Sequence, residues 1–200
     1  MDHDADSSGG LSHLGKLIRN RQFVFSVIAQ FFYVGAQVGV WSFLIRYAQD
    51  TVPGTLEKGA ANYLTASLVL FIAGRFLGTF AMRFLPASRL LASFALINIL
   101  LAAVAVLVPG QVGLYALVAI SFFMSVMFPT IFALGLSGLG DDDRKLGSSL
   151  LVMSIIGGAV LTAAMGLVSD LYGIHSSRGV PLVCFAVILG FAVRSRRSAG

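Results

Sequence analysis

Charge is scarce in this chain. Of 200 residues only 12% are Asp, Glu, Lys or Arg, about half the roughly 25% of a soluble globular domain. With 57% apolar residues and a mean hydropathy of +0.88, an ordinary soluble enzyme is excluded. Cysteine is nearly absent as well. The lone Cys184 lies in an apolar run, so no disulfide framework, CxxC pair or thiolate metal site forms within one chain. The three histidines, His3, His13 and His175, are too scattered to cluster around a metal. HExxH, GxxxxGK[ST] and GxSxG are all missing, and no nucleophile–base pair points to an enzyme.

What is present is long uncharged runs. If a crossing needs about 20 apolar residues, this length accommodates six or seven crossings and little else. The uncharged run Leu90 to Gly140 would form about 77 Å of helix, more than twice the hydrocarbon core of roughly 30 Å. It is therefore two crossings hinged at Pro109-Gly110. The other runs complete six predicted spans: 23–47, 60–82, 90–108, 113–136, 147–168 and 179–193. The last is short, about 22 Å as a helix, so it thins the bilayer, recruits flanking residues or has other boundaries than its uncharged run. Hydrophilic connections are expected at Asp50–Lys58 around Pro53-Gly54, at Arg83–Arg89, at Asp141–Lys145 and at Asp170–Gly179. The spans are too long and too uniformly apolar for strands of a barrel. The fold class is an all-α, six-helix membrane bundle over 21–197, preceded over 1–20 by an acidic and basic cytoplasmic tail or an inter-domain linker. The acidic start, with Asp2, Asp4 and Asp6, is the wrong flank for a secretory signal.

The net charge of +5 and pI near 9.8 invite a nucleic-acid reading, but the basic residues sit between apolar runs. Lys16, Arg19, Arg21, Arg83, Arg89, Arg144, Lys145, Arg194, Arg196 and Arg197 fall on one side. Only Lys58 and Arg178 fall in loops of the other. By the positive-inside rule both termini are cytoplasmic. The expected environment is a lipid bilayer, with no nucleic-acid partner.

Several residues are out of place in a passive helix. Gln30, Tyr33, Gln37 and Trp41 follow spacings of three, four and four, which aligns them on one helix side. Two readings stand for this stripe: a polar seam between helices, or the lining of a polar cavity with an aromatic platform. Asn62, Tyr63 and Thr65 open the second span and are candidates to face the same space. Gly74 and Gly78 form a small-xxx-small pair, as do Gly35 and Gly39, which suits close helix approach. Arg75 is costly inside a span and must snorkel, pair or face water; a gating role is the alternative. Pro129 is expected to break the fourth span, and Gly157-Gly158 the fifth. Broken helices lining a cavity mark transport sites. No acidic residue lies within a span, so no intramembrane carboxylate carries a proton.

From Arg21 to Arg197 the sequence resembles the C-terminal half of major facilitator superfamily sugar permeases, in the L-fucose/proton symporter group. The resemblance lies in Gln30-Phe-Phe-Tyr-Val-Gly-Ala-Gln37, Trp41-Ser-Phe-Leu-Ile-Arg-Tyr47, Ala61-Asn-Tyr-Leu-Thr65, Gly74-Arg-Phe-Leu-Gly78, Phe128-Pro-Thr-Ile-Phe132, Gly147-Ser-Ser149 and Met165-Gly-Leu-Val-Ser-Asp170. It implies proton-driven import of L-fucose or a related hexose across the inner membrane, without a cofactor or metal. It puts Gln30, Tyr33 and Gln37 on the sugar path, with Asn62 and the Pro129 region as further candidates; Trp41 of the stripe and Tyr63 of the second span are added to the path candidates from the reading of the residues themselves. Gly74, Arg75, Gly78 and Arg83 match the family's cytoplasmic-side motif and imply a conformational role. The family's coupling carboxylates belong to the other six helices, which agrees with their absence here. Three readings remain: half of a symporter working with a separate six-helix N-terminal half, a homodimeric small permease, or a non-transporting sensor or assembly protein keeping the fold.

Overall fold

The computed structural model describes residues 13–52, 54, 56–108 and 110–198. The acidic segment Met1–Gly10 and the turn prolines Pro53 and Pro109 lie outside the described residues. A short helix α1 over 13–19 leads into α2 (Arg21–Thr51), α3 (Glu57–Ala81) and α4 (Ala87–Leu107). The fourth crossing is α5 (Gln111–Met124) with α6 (Met127–Leu136). The fifth is α7 (Asp141–Met153), a 3-10 turn (Ser154–Ile156) and α8 (Gly157–Tyr172). The sixth is α9 (Ile174–Ser177) with α10 (Gly179–Ser198). There is no strand among the described residues. Six helical stretches are long and apolar enough to cross a bilayer.

Local chemistry sets the ends. The Asn20 side chain accepts from the backbone N–H groups of Gln22 and Phe23 at 3.0 and 3.2 Å, satisfying donors that the first turn of α2 leaves open. Asp141, Asp142 and Asp143, expected as a loop, instead form the first turn of α7. Three carboxylates at a helix N-terminus complement its dipole, which offsets the polarity that made the segment read as loop. The loop expected over Asp170–Gly179 is also helical except at Gly173 and Arg178. Gly173, with φ +85°, stops α8 and turns the chain into α9. The last crossing therefore draws on 24 residues, Ile174–Arg197, about 36 Å of helix, and needs no bilayer thinning.

Both predicted breaks exist, each displaced toward the N-terminus. Helix α5 ends before Ser125–Val126, and Pro129 sits in the first turn of α6. A proline has no N–H for the carbonyl four residues earlier, here Ser125, so the ladder fails one turn upstream. In the fifth crossing the 3-10 turn precedes Gly157, and Ser154 Oγ bonds back to the Leu151 carbonyl at 2.6 Å. The glycines themselves serve packing. A Cβ on Gly157 would lie 2.1 Å from the Phe31 carbonyl oxygen, so α8 rests on α2 at backbone distance.

Helix α2 runs through the middle, touching α3, α5, α6, α8 and α10, while α4 packs on α10 and α5 behind it. The core is built from Tyr33, Leu44 and Tyr47 of α2, Ile120 and Met124 of α5, and Phe185 and Phe191 of α10. Burial divides the crossings into two kinds. In the most apolar stretches of α2 and of α5–α6, 56% of residues are buried, against 17% in α3 and 28% in α7–α8. Helices α3 and α8 thus present broad open faces, carrying Val69, Ile72, Phe76 and Phe80 on α3 and Leu167 and Leu171 on α8.

Candidate functional site

The stripe on α2 meets α5 rather than open space. Tyr33 is fully buried, and its hydroxyl donates to the Met124 carbonyl at 3.1 Å, at the last residue before the helix break. Its ring stands edge-on to Phe128, centroids 6.0 Å apart. Two turns on, the half-buried Trp41 donates its Nε1–H to Ser121 Oγ at 3.1 Å. Both contacts are those of a polar seam between α2 and α5. Gln37 between them is only half-buried. Gln30 is fully buried with neither its amide oxygen nor its nitrogen bonded to protein. An amide in that state loses about 1–3 kcal/mol of hydration without return.

The candidates on α3 divide. Tyr63 is half-buried beside Tyr115, ring centroids 6.2 Å apart. Asn62 is exposed, and so is Thr65, whose hydroxyl bonds back to the Ala61 carbonyl. Because α2 and α3 run antiparallel, Asn62 lies near the α2–α3 turn, about 24 Å along the bundle from Gln30. The structure does not bring Asn62 to Gln30. Level with Trp41, α3 instead supplies Ser67.

Gly74 and Gly78 are buried, and a Cβ on each would meet Phe122 O at 2.2 Å and Val126 Cγ1 at 2.8 Å. They seat α3 against the α5–α6 break. Arg75 on α3 and Arg83 in the turn that follows it are exposed and line an open groove of about 630 Å³ whose apolar wall includes Phe71, Phe76 and Phe80. The Arg75 guanidinium lies 5.9 Å from the centre of the Phe71 ring. Glycines and arginines of one motif thus do different work, one pair closing a helix contact and the other lining an open surface.

Sequence reasoning missed three groups. Ser67 and Ser121 are fully buried with their oxygens 2.5 Å apart; a lone serine in an apolar run usually bonds its own helix and carries no signal. Asn98 of α4 is fully buried with both amide atoms unbonded, and an amide inside the 51-residue uncharged run was there to be noticed. The third group joins helix ends. Arg178, counted as a loop residue, is only 3% exposed, and its guanidinium donates to the Ala105 carbonyl and to His175 Nδ1. Arginine only donates, so Nδ1 accepts and the imidazole proton sits on Nε2, 3.0 Å from Asp50 Oδ2. The ends of α2, α4 and α9 are tied by this chain of contacts. At the opposite end His13 Nδ1 pairs with Asp143 at 2.5 Å, and Gln22 Nε2 donates to Ser195 Oγ at 2.6 Å. No three His, Cys, Asp or Glu side chains among the described residues are grouped to hold a metal.

This architecture is that of a six-helix half of a major facilitator fold. A solved structure of the Escherichia coli fucose:proton symporter superposes with a TM-score of 0.89 at 47% identity, covering 92% of this chain and 45% of that one. By sequence the chain is 48% identical over 191 residues to the L-fucose-proton symporter of E. coli K12. It is 36% identical over 185 residues to a glucose/galactose transporter of Brucella abortus. These matches cover 94% and 92% of this chain but 43% and 45% of those proteins, so the chain spans about half the length of the curated relatives it matches. A peptide transporter shares the fold at TM-score 0.77 and 20% identity. No protein-family model matches the chain. The chain is homologous to sugar transporters, not to enzymes.

Proposed function

We propose that the chain is the C-terminal six-helix half of a proton-coupled hexose importer, taking L-fucose or a related sugar. The observation that carries this reading is the 48% identity to an L-fucose-proton symporter over 191 residues. It works with a second six-helix half, which supplies the carboxylate for proton coupling. The open faces of α3 and α8 support that arrangement, since an alternating-access carrier rocks two halves about a central site. The sugar path runs along Gln30, Tyr33, Gln37 and Trp41, with Tyr63 and the Pro129 break at its margin and Asn62 toward its outer mouth. Gly74, Arg75, Gly78 and Arg83 form the inner gate. The ten basic residues on one side support an inner-membrane orientation with both termini cytoplasmic.

The test is equilibrium binding of labelled L-fucose, D-galactose and D-glucose. The chain is co-reconstituted with a separately expressed six-helix N-terminal half of the E. coli L-fucose-proton symporter. Saturable binding of at least one hexose, weakened by Gln37→Leu, is the expected result. Absence of binding for all three in an assembled complex overturns the reading.

A further inference from the structure

Three helices meet at one buried polar point. Ser121 of α5 and Ser67 of α3 are both fully buried, their hydroxyl oxygens 2.5 Å apart, and Trp41 of α2 donates its indole N–H to Ser121 Oγ at 3.1 Å. An indole nitrogen only donates, so Ser121 Oγ is the acceptor there, and one of the two serine hydroxyls donates to the other. Hydroxyls inside an apolar bundle are costly unless bonded, and here the two are bonded to one another. On another side the ring stands near-perpendicular to Phe71, at 77° with centroids 5.1 Å apart. The indole is therefore held by its N–H edge and by an aromatic neighbour, while part of its surface stays open.

We infer that Ser121 and Ser67 are positioning residues for sugar recognition. They fix the plane of Trp41 so that its face meets the apolar C–H face of a pyranose. This rests on the reading of Trp41 as part of the sugar path. The reason is geometric: an aromatic platform binds a flat sugar face only when the ring plane is set beforehand. A side chain with two free torsions must otherwise lose that freedom on binding. The same node joins the platform to α3, the helix with the broadest open face, so its geometry depends on how α3 sits against α5.

Trp41 is the chain's single tryptophan, so its emission reports the node directly. The experiment uses the full chain co-reconstituted with a six-helix half whose tryptophans are replaced by phenylalanine, titrated with L-fucose, D-galactose and D-glucose. In the unmodified chain, sugar changes the emission saturably. Ser121→Ala lowers the anisotropy of Trp41 before sugar is added and raises the half-saturating sugar concentration about fivefold, the equivalent of one net hydrogen bond. Ser121→Thr restores both readings. Ser67→Ala, which leaves the indole its acceptor, gives a smaller shift in the same direction and serves if Ser121→Ala fails to insert. If the unmodified chain responds to sugar and the serine variants match it in anisotropy and half-saturation, the positioning role is overturned while the sugar path stands. If no sugar alters Trp41 emission in the assembled unmodified complex, the sugar-path reading of Trp41 fails and the positioning role falls with it.

Discussion

The guanidinium carbon of Arg178 lies 3.5 Å from the centre of the Tyr47 ring, with both residues nearly inaccessible. Such a desolvated cation over an aromatic face is worth about 2 kcal/mol or more. Arg178 also holds the Ala105 carbonyl and, through His175, reaches Asp50. Arg178→Met should lower the thermal midpoint of the detergent-solubilised chain by several degrees. Arg178→Lys should restore little, because a point charge cannot reproduce a planar fork. The Tyr47 hydroxyl is buried without a partner, so Tyr47→Phe should be neutral or slightly stabilising, whereas Tyr47→Leu should cost about 2 kcal/mol. Thermal melts of the four variants check the order.

Gln30 and Asn98 offer a paired contrast. Each is a fully buried amide with both polar atoms unbonded, and replacing such a group by leucine of similar volume returns about 1–3 kcal/mol of lost hydration. Both Gln30→Leu and Asn98→Leu should therefore raise the melting temperature. Only Gln30→Leu should weaken hexose binding, since Asn98 lies on α4, off the proposed path. Equal effects of the two variants on binding would remove Gln30 from the path.

The glycines divide by what a methyl group would meet. A Cβ at Gly74 lies 2.2 Å from the Phe122 carbonyl oxygen, and one at Gly157 lies 2.1 Å from that of Phe31, whereas Gly166 has nothing within 4 Å. Gly74→Ala and Gly157→Ala should each cost about 1–3 kcal/mol by forcing backbone apart. Gly166→Ala, in mid-helix, should stabilise by about 0.5–1 kcal/mol. Comparative thermal melts decide this.

Orientation is tested by impermeant maleimide labelling of intact cells expressing Cys184→Ser variants. Lys58→Cys, on an exposed position at the start of α3, should label from outside. Lys145→Cys, exposed in α7, should label only after permeabilisation. The reverse pattern would invert the proposed topology.

The six crossings were legible because an apolar run longer than the bilayer admits few alternatives, and Pro129 placed a break to within one helical turn. The loops were less so. Asp141 to Asp143 read as loop by polarity, although carboxylates are favoured at a helix N-terminus; Arg178 does lie in the turn between α9 and α10, but its burial could not be read because its partners Tyr47 and Ala105 are distant in sequence. For the site, periodicity found the α2 stripe, and Tyr33 and Trp41 do share a side facing α5. It did not find Ser67 and Ser121, whose importance arises only where α2, α3 and α5 meet. It also grouped Asn62 with Gln30, because closeness to a polar helix start says nothing about depth along the bundle.

Proton-driven accumulation of labelled L-fucose in proteoliposomes tests the central claim most directly, comparing the chain alone with the chain plus a six-helix N-terminal half. The expected result is no accumulation above equilibrium by the chain alone, and uphill uptake abolished by a protonophore once the second half is present. Uphill uptake by the chain alone, or none by the assembled pair, would contradict the account.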